Sequence, residues 1–268
     1  MRKRITLALA TSLLLVVSVL GHDLFLKSDS FFLEPNSKFT IKVMNGTFQA
    51  SEGAVSFARL NDISVLSGGK RTHPLEADFT KDETTAYMNL RTGSSGTYVV
   101  GLSTKTREIS LKAEEFNEYL KEDGLPDTLE ERRNTGELGK DAKERYAKHV
   151  KAILQVGKTR SDDYKTVLGY PVELVPQQDP YSLKKGGSID ILCLKDGKPL
   201  ANQVVLAGRE NMGKPVSSPD LRSDEKGMVR VRLDGAGKWY VKFINMTKLD
   251  DPDLNYESKW TTLTFEIK

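Results

Sequence analysis

Apolar and polar residues alternate through the part of the chain that directly follows residue 21. In one such run Phe39, Ile41 and Val43 are separated by polar neighbours, which is the period of a half-buried β-strand. Glycine and asparagine, which favour tight turns, separate the runs at positions 45–46, 67–69 and 93–96. The pattern predicts an N-terminal β domain over residues 22–105.

A different pattern begins near residue 106. The segments 113–121 and 140–154 are rich in Glu, Lys and Ala, residues that favour helices. In the second segment, apolar residues from Tyr146 to Leu154 have the spacing of one helix face. We therefore predict a helical insert over residues 106–167, placed between two β regions and without a core of its own.

Strand-like runs return after the insert and continue to the end of the chain. They lie at residues 172–175, 188–194, 203–207, 228–233, 239–244 and 261–267. Short strands separated by turn residues are typical of an antiparallel β-sandwich, which we predict for residues 168–268. Trp239 and Trp260 are expected in its core, and Cys193 is expected to be a buried apolar residue without a catalytic role. The predicted fold class is mainly β, with two sandwich-like (immunoglobulin/transthyretin-like) regions and a helical insert.

The first 21 residues have the features of a secretory signal. Arg2, Lys3 and Arg4 precede an apolar run over residues 5–20, and Gly21 ends the segment with a small residue. A run of this length is short for a bilayer span, which needs about 20 residues, although an uncleaved anchor is the alternative. We predict cleavage before His22, no transmembrane segment in the mature protein, and a periplasmic or secreted location.

Charge and motifs narrow the classes of function. Residues 1–21 contain three of the chain's 40 Lys and Arg residues and none of its 37 Asp and Glu residues, so the remainder is formally neutral. This balance does not predict nucleic-acid binding, which normally needs a basic surface. The sequence also lacks the common nucleophile-elbow, zinc-protease, phosphate-loop and dinucleotide motifs. We therefore expect a protein that is not an enzyme.

Three residues are candidate metal ligands. Cleavage before His22 would place an α-amine and an imidazole on one residue, and this pair of nitrogens suits Cu(II) or Ni(II). Asp23 could add a carboxylate or orient the imidazole ring. His149 is a further candidate, although its predicted helical position makes an exposed side chain the simpler interpretation. His73, in a polar turn, is a comparably weak candidate. The alternative for His22 is an ordinary first residue of a docked strand.

Several short motifs together resemble one family of exported bacterial proteins. They are HDLFL at 22–26, GYPVELVP at 169–176, DGKPLA at 196–201 and SKWTTLTF at 258–265. Their order and spacing are similar to those of the domain of unknown function 4198 family. The resemblance implies a periplasmic component of nickel- or cobalt-type uptake that works with a membrane transporter component. It also implies a histidine before Met246, where this chain has Asn245, and hence a weaker or altered metal site.

Two functional hypotheses follow. The first is a metal-binding accessory of the cell envelope that holds a divalent ion such as Ni, Co or Cu. The second is a β-sandwich binding or adhesion module without a metal, which recognises a glycan or a partner protein. The resemblance and His22 favour the first, whereas the neutral charge and the small number of potential ligands favour the second.

Overall fold

The computed structural model of the protein describes residues 22–210 and 221–268. The predicted signal segment and its cleavage site therefore lie outside the described residues. No described helix is both long enough and apolar enough to cross a membrane.

The described chain is mainly β. Its strands are β1 (Asp23–Ser28), β2 (Phe32–Leu33), β3 (Lys38–Gly46), β4 (Leu60–Ser67), β5 (Lys70–Thr72), β6 (Phe79–Lys81), β7 (Ala86–Arg91), β8 (Gly96–Thr104), β9 (Arg107–Leu111), β10 (Ala142–Val156), β11 (Val172–Pro176), β12 (Ser188–Lys195), β13 (Lys198–Pro199), β14 (Leu206–Arg209), β15 (Met228–Arg232), β16 (Gly237–Lys248) and β17 (Tyr256–Ile267). Its α-helices are α1 (Ala113–Glu122) and α2 (Pro126–Asn134).

These strands form three sheets. The first has the order β1-β3-β7-β6, and the third has the order β11-β12-β13, with β15 also paired to β12. Between them lies a nine-stranded sheet with the order β14-β16-β17-β10-β8-β4-β5, in which β2 and β9 also pair with β10. Strands from both predicted β regions therefore enter one sheet.

One apolar cluster holds the three sheets together in sandwich fashion. It contains Leu24 and Ile41 from the first sheet, Val150 from the second, and Leu174 and Ile191 from the third. Residues two apart along a strand point to the same face of the sheet. Each sheet therefore has an apolar face, which packs against the neighbouring sheet. The predicted mainly-β sandwich class is confirmed.

The aromatic and sulfur-containing residues expected inside are buried. Trp239 is 1% exposed, Trp260 is 5% exposed, and Cys193 is fully buried. Burial raises the pKa of the Cys193 thiol to about 12, which keeps it neutral and unreactive. The last strand, β17, pairs with β16 as expected, with Trp239 opposite Phe265.

The prediction of a helix over residues 140–154 is wrong, because this segment forms β10, the central strand of the large sheet. It pairs in parallel with β17 over nine residues and antiparallel with β9 and β8 on its other side. Long-range hydrogen bonding on both edges outweighs the local helix preference of Glu, Lys and Ala. The predicted insert is thus helical in its first part, where α1 and α2 occur, and extended in its second.

The two helices cover one end of the large sheet. Phe116, Tyr119 and Leu120 of α1 form a second apolar cluster with Tyr256 and Trp260 of β17. The spacing i, i+3, i+4 puts the three helix residues on one face. This packing places α1 over the face of the sheet that carries the candidate site.

The GYPVELVP motif has a structural role. Glu173 accepts hydrogen bonds from the backbone N–H groups of Leu168, Gly169 and Tyr170 at 2.7–2.9 Å. The same carboxylate pairs with the buried Lys151 Nζ at 2.9 Å. The motif therefore ties the loop before β11 to the centre of β10.

Candidate functional site

A cavity of about 210 Å³ opens beside the first described residue; we call it the N-terminal pocket. It is lined by His22, Asn45, Arg107, Ile109, Leu111, Tyr119, Glu144, Tyr146, Lys148 and Trp260. Arg107 is exposed and His22 and Tyr146 are half-buried, whereas Tyr119, Glu144, Lys148 and Trp260 are buried. The pocket thus has a polar rim and a floor of charged and aromatic side chains.

Strand register explains why these residues share one face. Arg107 of β9 lies opposite Tyr146 of β10, and Trp260 of β17 lies opposite Lys148 of β10. Paired residues point to the same side of a sheet, as do residues two apart on one strand. Glu144, Tyr146 and Lys148 therefore form one row, with Arg107 and Trp260 on either side of it.

Glu144 is the acidic group of the pocket floor. Its Oε1 accepts a hydrogen bond from Tyr119 Oη at 3.3 Å and a short one from Ser258 Oγ. Burial raises the pKa of the Glu144 carboxyl to about 7, although these hydrogen bonds oppose the rise. The group therefore changes its charge near neutral pH.

Lys148 is the basic group of the floor. Its Nζ donates to the backbone oxygen of His22 and, at 3.3 Å, to Asn45 Oδ1. It also lies 5.2 Å from the centre of the Trp260 ring. Burial lowers the pKa of Lys148 to about 8, partly offset by the carboxylates of Asp23 and Asp123. At pH 7 the ammonium form still predominates.

A second buried lysine anchors the residues behind the pocket. Lys242 Nζ lies 2.5 Å from Asp23 Oδ2 and 2.9 Å from Asp123 Oδ1, and the side chains of all three are at most 13% exposed. Although burial alone would lower it, the pKa of Lys242 is raised by the two carboxylates. This charged group joins β1, β16 and the end of α1.

The aromatic part of the floor is a stacked ring pair. Tyr119 and Trp260 have their ring centres 5.7 Å apart and their planes 3° apart. The Trp260 Nε1–H donates to Ser258 Oγ at 2.8 Å, so the indole position is held by hydrogen bonding as well as by packing. These rings and the half-buried Tyr146 form the apolar wall.

The structure brings only part of the predicted metal set together. His22 lies at the pocket rim, where its Nε2 is 2.7 Å from Glu52 Oε2. Asp23 follows it on β1, but its carboxylate is held by Lys242. His149 follows Lys148 on β10 and so points to the opposite face of the sheet, away from His22 and Asp23.

The prediction that His149 is an exposed helix residue is wrong. It is 3% exposed, and its Nδ1 lies 2.9 Å from Ser103 Oγ. Burial lowers the pKa of His149 to about 4, so the ring is neutral at physiological pH. Its Nε2 has no hydrogen-bond partner among the described residues. The face toward which it points contains Tyr170, whose ring centre is 5.9 Å away.

The other residues considered as ligands lie elsewhere. His73 Nδ1 lies 2.9 Å from the Ile63 carbonyl oxygen and 3.2 Å from Asp62 Oδ1. Asn245, which stands where the resemblance implies a histidine, lines a different cavity, and its Nδ2 donates to Gln203 Oε1 at 3.1 Å. Within residues 22–210 and 221–268, no three His, Cys, Asp or Glu side chains converge as a metal-binding group.

Sequence reasoning missed most of the pocket. Five of the lining residues were not predicted as site residues, because they come from three strands and a helix that are distant in the chain. They are Arg107, Tyr119, Glu144, Lys148 and Trp260. The sequence contains little signal here, because apolar and polar residues do not alternate regularly from Glu144 to His149. In the predicted helix, Tyr146 would lie on a different face from Glu144 and Lys148.

Comparison with known proteins assigns a family but no activity. A family model described as "Domain of unknown function (DUF4198)" matches residues 19–247. No curated protein matches the chain.

The solved structures that resemble the chain do so only weakly. The crystal structure of murine CEACAM1b has a TM-score of 0.22 and 9% identity, covering 92% of this chain and 100% of the other. The D0-D1 domain of Intimin has a TM-score of 0.20 and 10% identity, covering 90% and 96%. Bacteroides ovatus SGBP-B, in complex with a mixed-linkage heptasaccharide, has a TM-score of 0.19 and 11% identity, covering 87% and 44%. TM-scores of this size support no argument about function.

Proposed function

The chain belongs to the DUF4198 family, and we propose that it is an exported binding protein that holds a sugar-sized polar ligand in the N-terminal pocket. One observation carries the proposal: the row Glu144, Tyr146 and Lys148 faces a cavity whose wall includes the Tyr119–Trp260 ring pair. Aromatic surface combined with a few fixed polar groups is the usual composition of a small-molecule site.

The size of the pocket limits the ligand. Its volume of about 210 Å³ is below the ~300–1,000 Å³ typical of sites for drug-sized molecules. A single sugar ring or a comparable metabolite matches this volume better than a long oligosaccharide. The buried charged groups are held by hydrogen bonds to neighbours within the fold, which suits binding better than catalysis, and we propose no enzymatic activity.

Calorimetric titration of the mature protein with a panel of neutral and acidic hexoses tests this proposal. We expect at least one sugar to bind, and Tyr146→Ala to weaken that binding at least tenfold, or about 1.4 kcal/mol. Tyr87→Ala is the matched control, since Tyr87 lies on β7 and does not line the pocket. Absence of binding by every sugar in the panel would contradict the proposal.

A second candidate function is supported by a different contact. His22 Nε2 lies 2.7 Å from Glu52 Oε2 at the pocket rim, so an imidazole and a carboxylate are already adjacent. Cleavage before His22 would add an α-amine to this pair, and nitrogen-rich sites of this kind suit Cu(II) or Ni(II). Uptake of nickel or cobalt with a membrane transporter component as partner would follow from this candidate.

Blocking the α-amine tests the metal candidate. We expect mature protein that begins at His22, verified by intact mass, to bind Ni(II) or Cu(II) at least tenfold more tightly than the same protein with one extra N-terminal Ala. The added residue converts the amine into an amide and so removes one ligand. Equal affinity of the two proteins would reject chelation by the N-terminal residue, and a mature form that starts elsewhere would reject its premise.

A further inference from the structure

Two cationic side chains that line the N-terminal pocket, Arg107 and Lys148, have N–H donors that are not used by the described residues. Arg107 is exposed at the rim and forms no ion pair with any carboxylate in the described part of the chain. Its guanidinium carries five N–H donors in a planar fork that matches a carboxylate. It interacts with the Tyr146 hydroxyl, which leaves most of these donors available to a ligand.

Lys148 offers the second cation, from the floor. An ammonium group has three N–H donors. Within residues 22–210 and 221–268, two of them are used, by the His22 carbonyl oxygen and by Asn45 Oδ1. One N–H therefore remains. Lys148 is only 7% exposed, and in such surroundings a charge-assisted hydrogen bond is stronger than at an exposed site.

The sheet geometry puts the two cations within reach of one group. Arg107 lies opposite Tyr146, and Lys148 is two residues further along β10, so the two form a diagonal pair on one face. Diagonal neighbours lie about 7–8 Å apart, with their Cβ atoms somewhat closer, a separation that two long side chains span from both sides. A carboxylate between them would accept hydrogen bonds from each.

The acidic groups near the pocket do not occupy the N–H donors of Arg107 and Lys148. Burial raises the pKa of Glu144 to about 7, so this carboxyl is not fully charged at neutral pH. Asp23 and Asp123, the other nearby acids, are held by Lys242. Glu52 at the rim contacts His22 Nε2, so among the described residues no carboxylate is hydrogen-bonded to Arg107 or Lys148.

We infer that the ligand of the N-terminal pocket is an organic acid of sugar size, such as a hexuronate, whose carboxylate is held between Arg107 and Lys148. This inference rests on the proposed function and names the chemical class of its ligand. Arg107 acts as the specificity-determining residue because it is exposed and has no competing carboxylate partner among the described residues.

Matched pairs of sugars test the inference in the mature protein. D-glucuronate and D-galacturonate are titrated against D-glucose and D-galactose, which differ from them by the carboxylate. We expect the acids to bind at least tenfold more tightly, and the preference to fall as NaCl is raised from 0.05 to 0.5 M, because salt screens charges at an exposed rim.

Arg107→Gln should remove the preference for the acids while leaving the thermal unfolding midpoint unchanged. Arg232→Gln is the control of equal charge change, since Arg232 is an exposed residue of β15. Equal binding of acids and parent sugars by the unmodified protein would overturn the inference and leave the proposed function intact. A preference that survives Arg107→Gln would also overturn it. Absence of binding by all four sugars would contradict both.

Discussion

Replacing Lys242 with methionine is expected to lower the free energy of unfolding at pH 7 by about 3–5 kcal/mol. Lys242 Nζ lies between Asp23 Oδ2 and Asp123 Oδ1, and 5% of its side chain is exposed. Methionine fills a similar volume but leaves two carboxylates buried without their cation. Breaking a buried ion pair from one side costs more than removing both partners, because an uncompensated charge remains. Urea unfolding of the two proteins measures the difference.

The deficit of Lys242→Met should shrink as the pH is lowered from 7 toward 4.5. Burial already raises the pKa of Asp23, and loss of the lysine charge raises it further. A carboxyl group whose pKa is higher in the folded than in the unfolded protein binds more protons when folded, so its cost falls as pH falls toward the unfolded value near ~3.9. The variant therefore approaches the stability of the parent in acid.

The double variant Lys242→Met/Asp123→Asn provides the control, since it removes one of the stranded charges. We expect it to be more stable at pH 7 than Lys242→Met alone. A deficit below about 1 kcal/mol, or one that is independent of pH, would show that the three side chains are solvated and do not hold β1, β16 and α1 together.

Glu173→Ala is expected to destabilise the protein by about 4 kcal/mol or more. The carboxylate accepts from three backbone N–H groups and from Lys151 Nζ, and its side chain is 1% exposed. Alanine leaves the three N–H groups and a buried ammonium without their acceptor. Unsatisfied buried donors cost about 1–3 kcal/mol each, and a stranded buried charge costs more. Chemical denaturation at pH 7 measures the loss.

Lys151→Met should cost less than Glu173→Ala, because the remaining carboxylate keeps its three backbone donors. An exposed pair gives the matched control: Lys112 and Asp141 are 77% and 57% exposed, so Lys112→Met should change stability by less than about 1 kcal/mol. If Glu173→Ala cost no more than Lys112→Met, the GYPVELVP motif would need another explanation.

The segment 140–154, which was predicted as a helix and forms most of β10, shows that local sequence preferences do not determine secondary structure by themselves. Its Glu, Lys and Ala content and the spacing from Tyr146 to Leu154 agree with a helix. As a strand, the segment instead places Glu144, Tyr146 and Lys148 on one face. Pairing with β17 and β9 on its two edges selects the strand, and none of these partners is close to it in the chain.

The candidate site was recognised only at its rim. His22 and Asp23 stood out because they follow a predicted cleavage point, and they do lie at or behind the N-terminal pocket. His149 was a third candidate, although its predicted helical position favoured an exposed side chain without a ligand role. In strand β10, Lys148 faces the pocket and His149 faces the opposite side of the sheet. The wrong secondary structure therefore made His149 a candidate site residue and left Lys148 unrecognised.

The amino-acid pattern alone was sufficient for the mainly-β class, the position of α1, the buried Trp239 and Trp260, and the family membership. Turn residues, apolar–polar alternation and helix breakers each involve only a few neighbouring residues, so they can be recognised in the sequence. Tertiary structure decided that β10 is a central strand, that strands of both predicted regions share one sheet, and that Arg107, Lys148 and Trp260 line one cavity. These features depend on hydrogen bonds and burial between segments more than 30 residues apart, whose free energy outweighs the small local preferences of the residues involved.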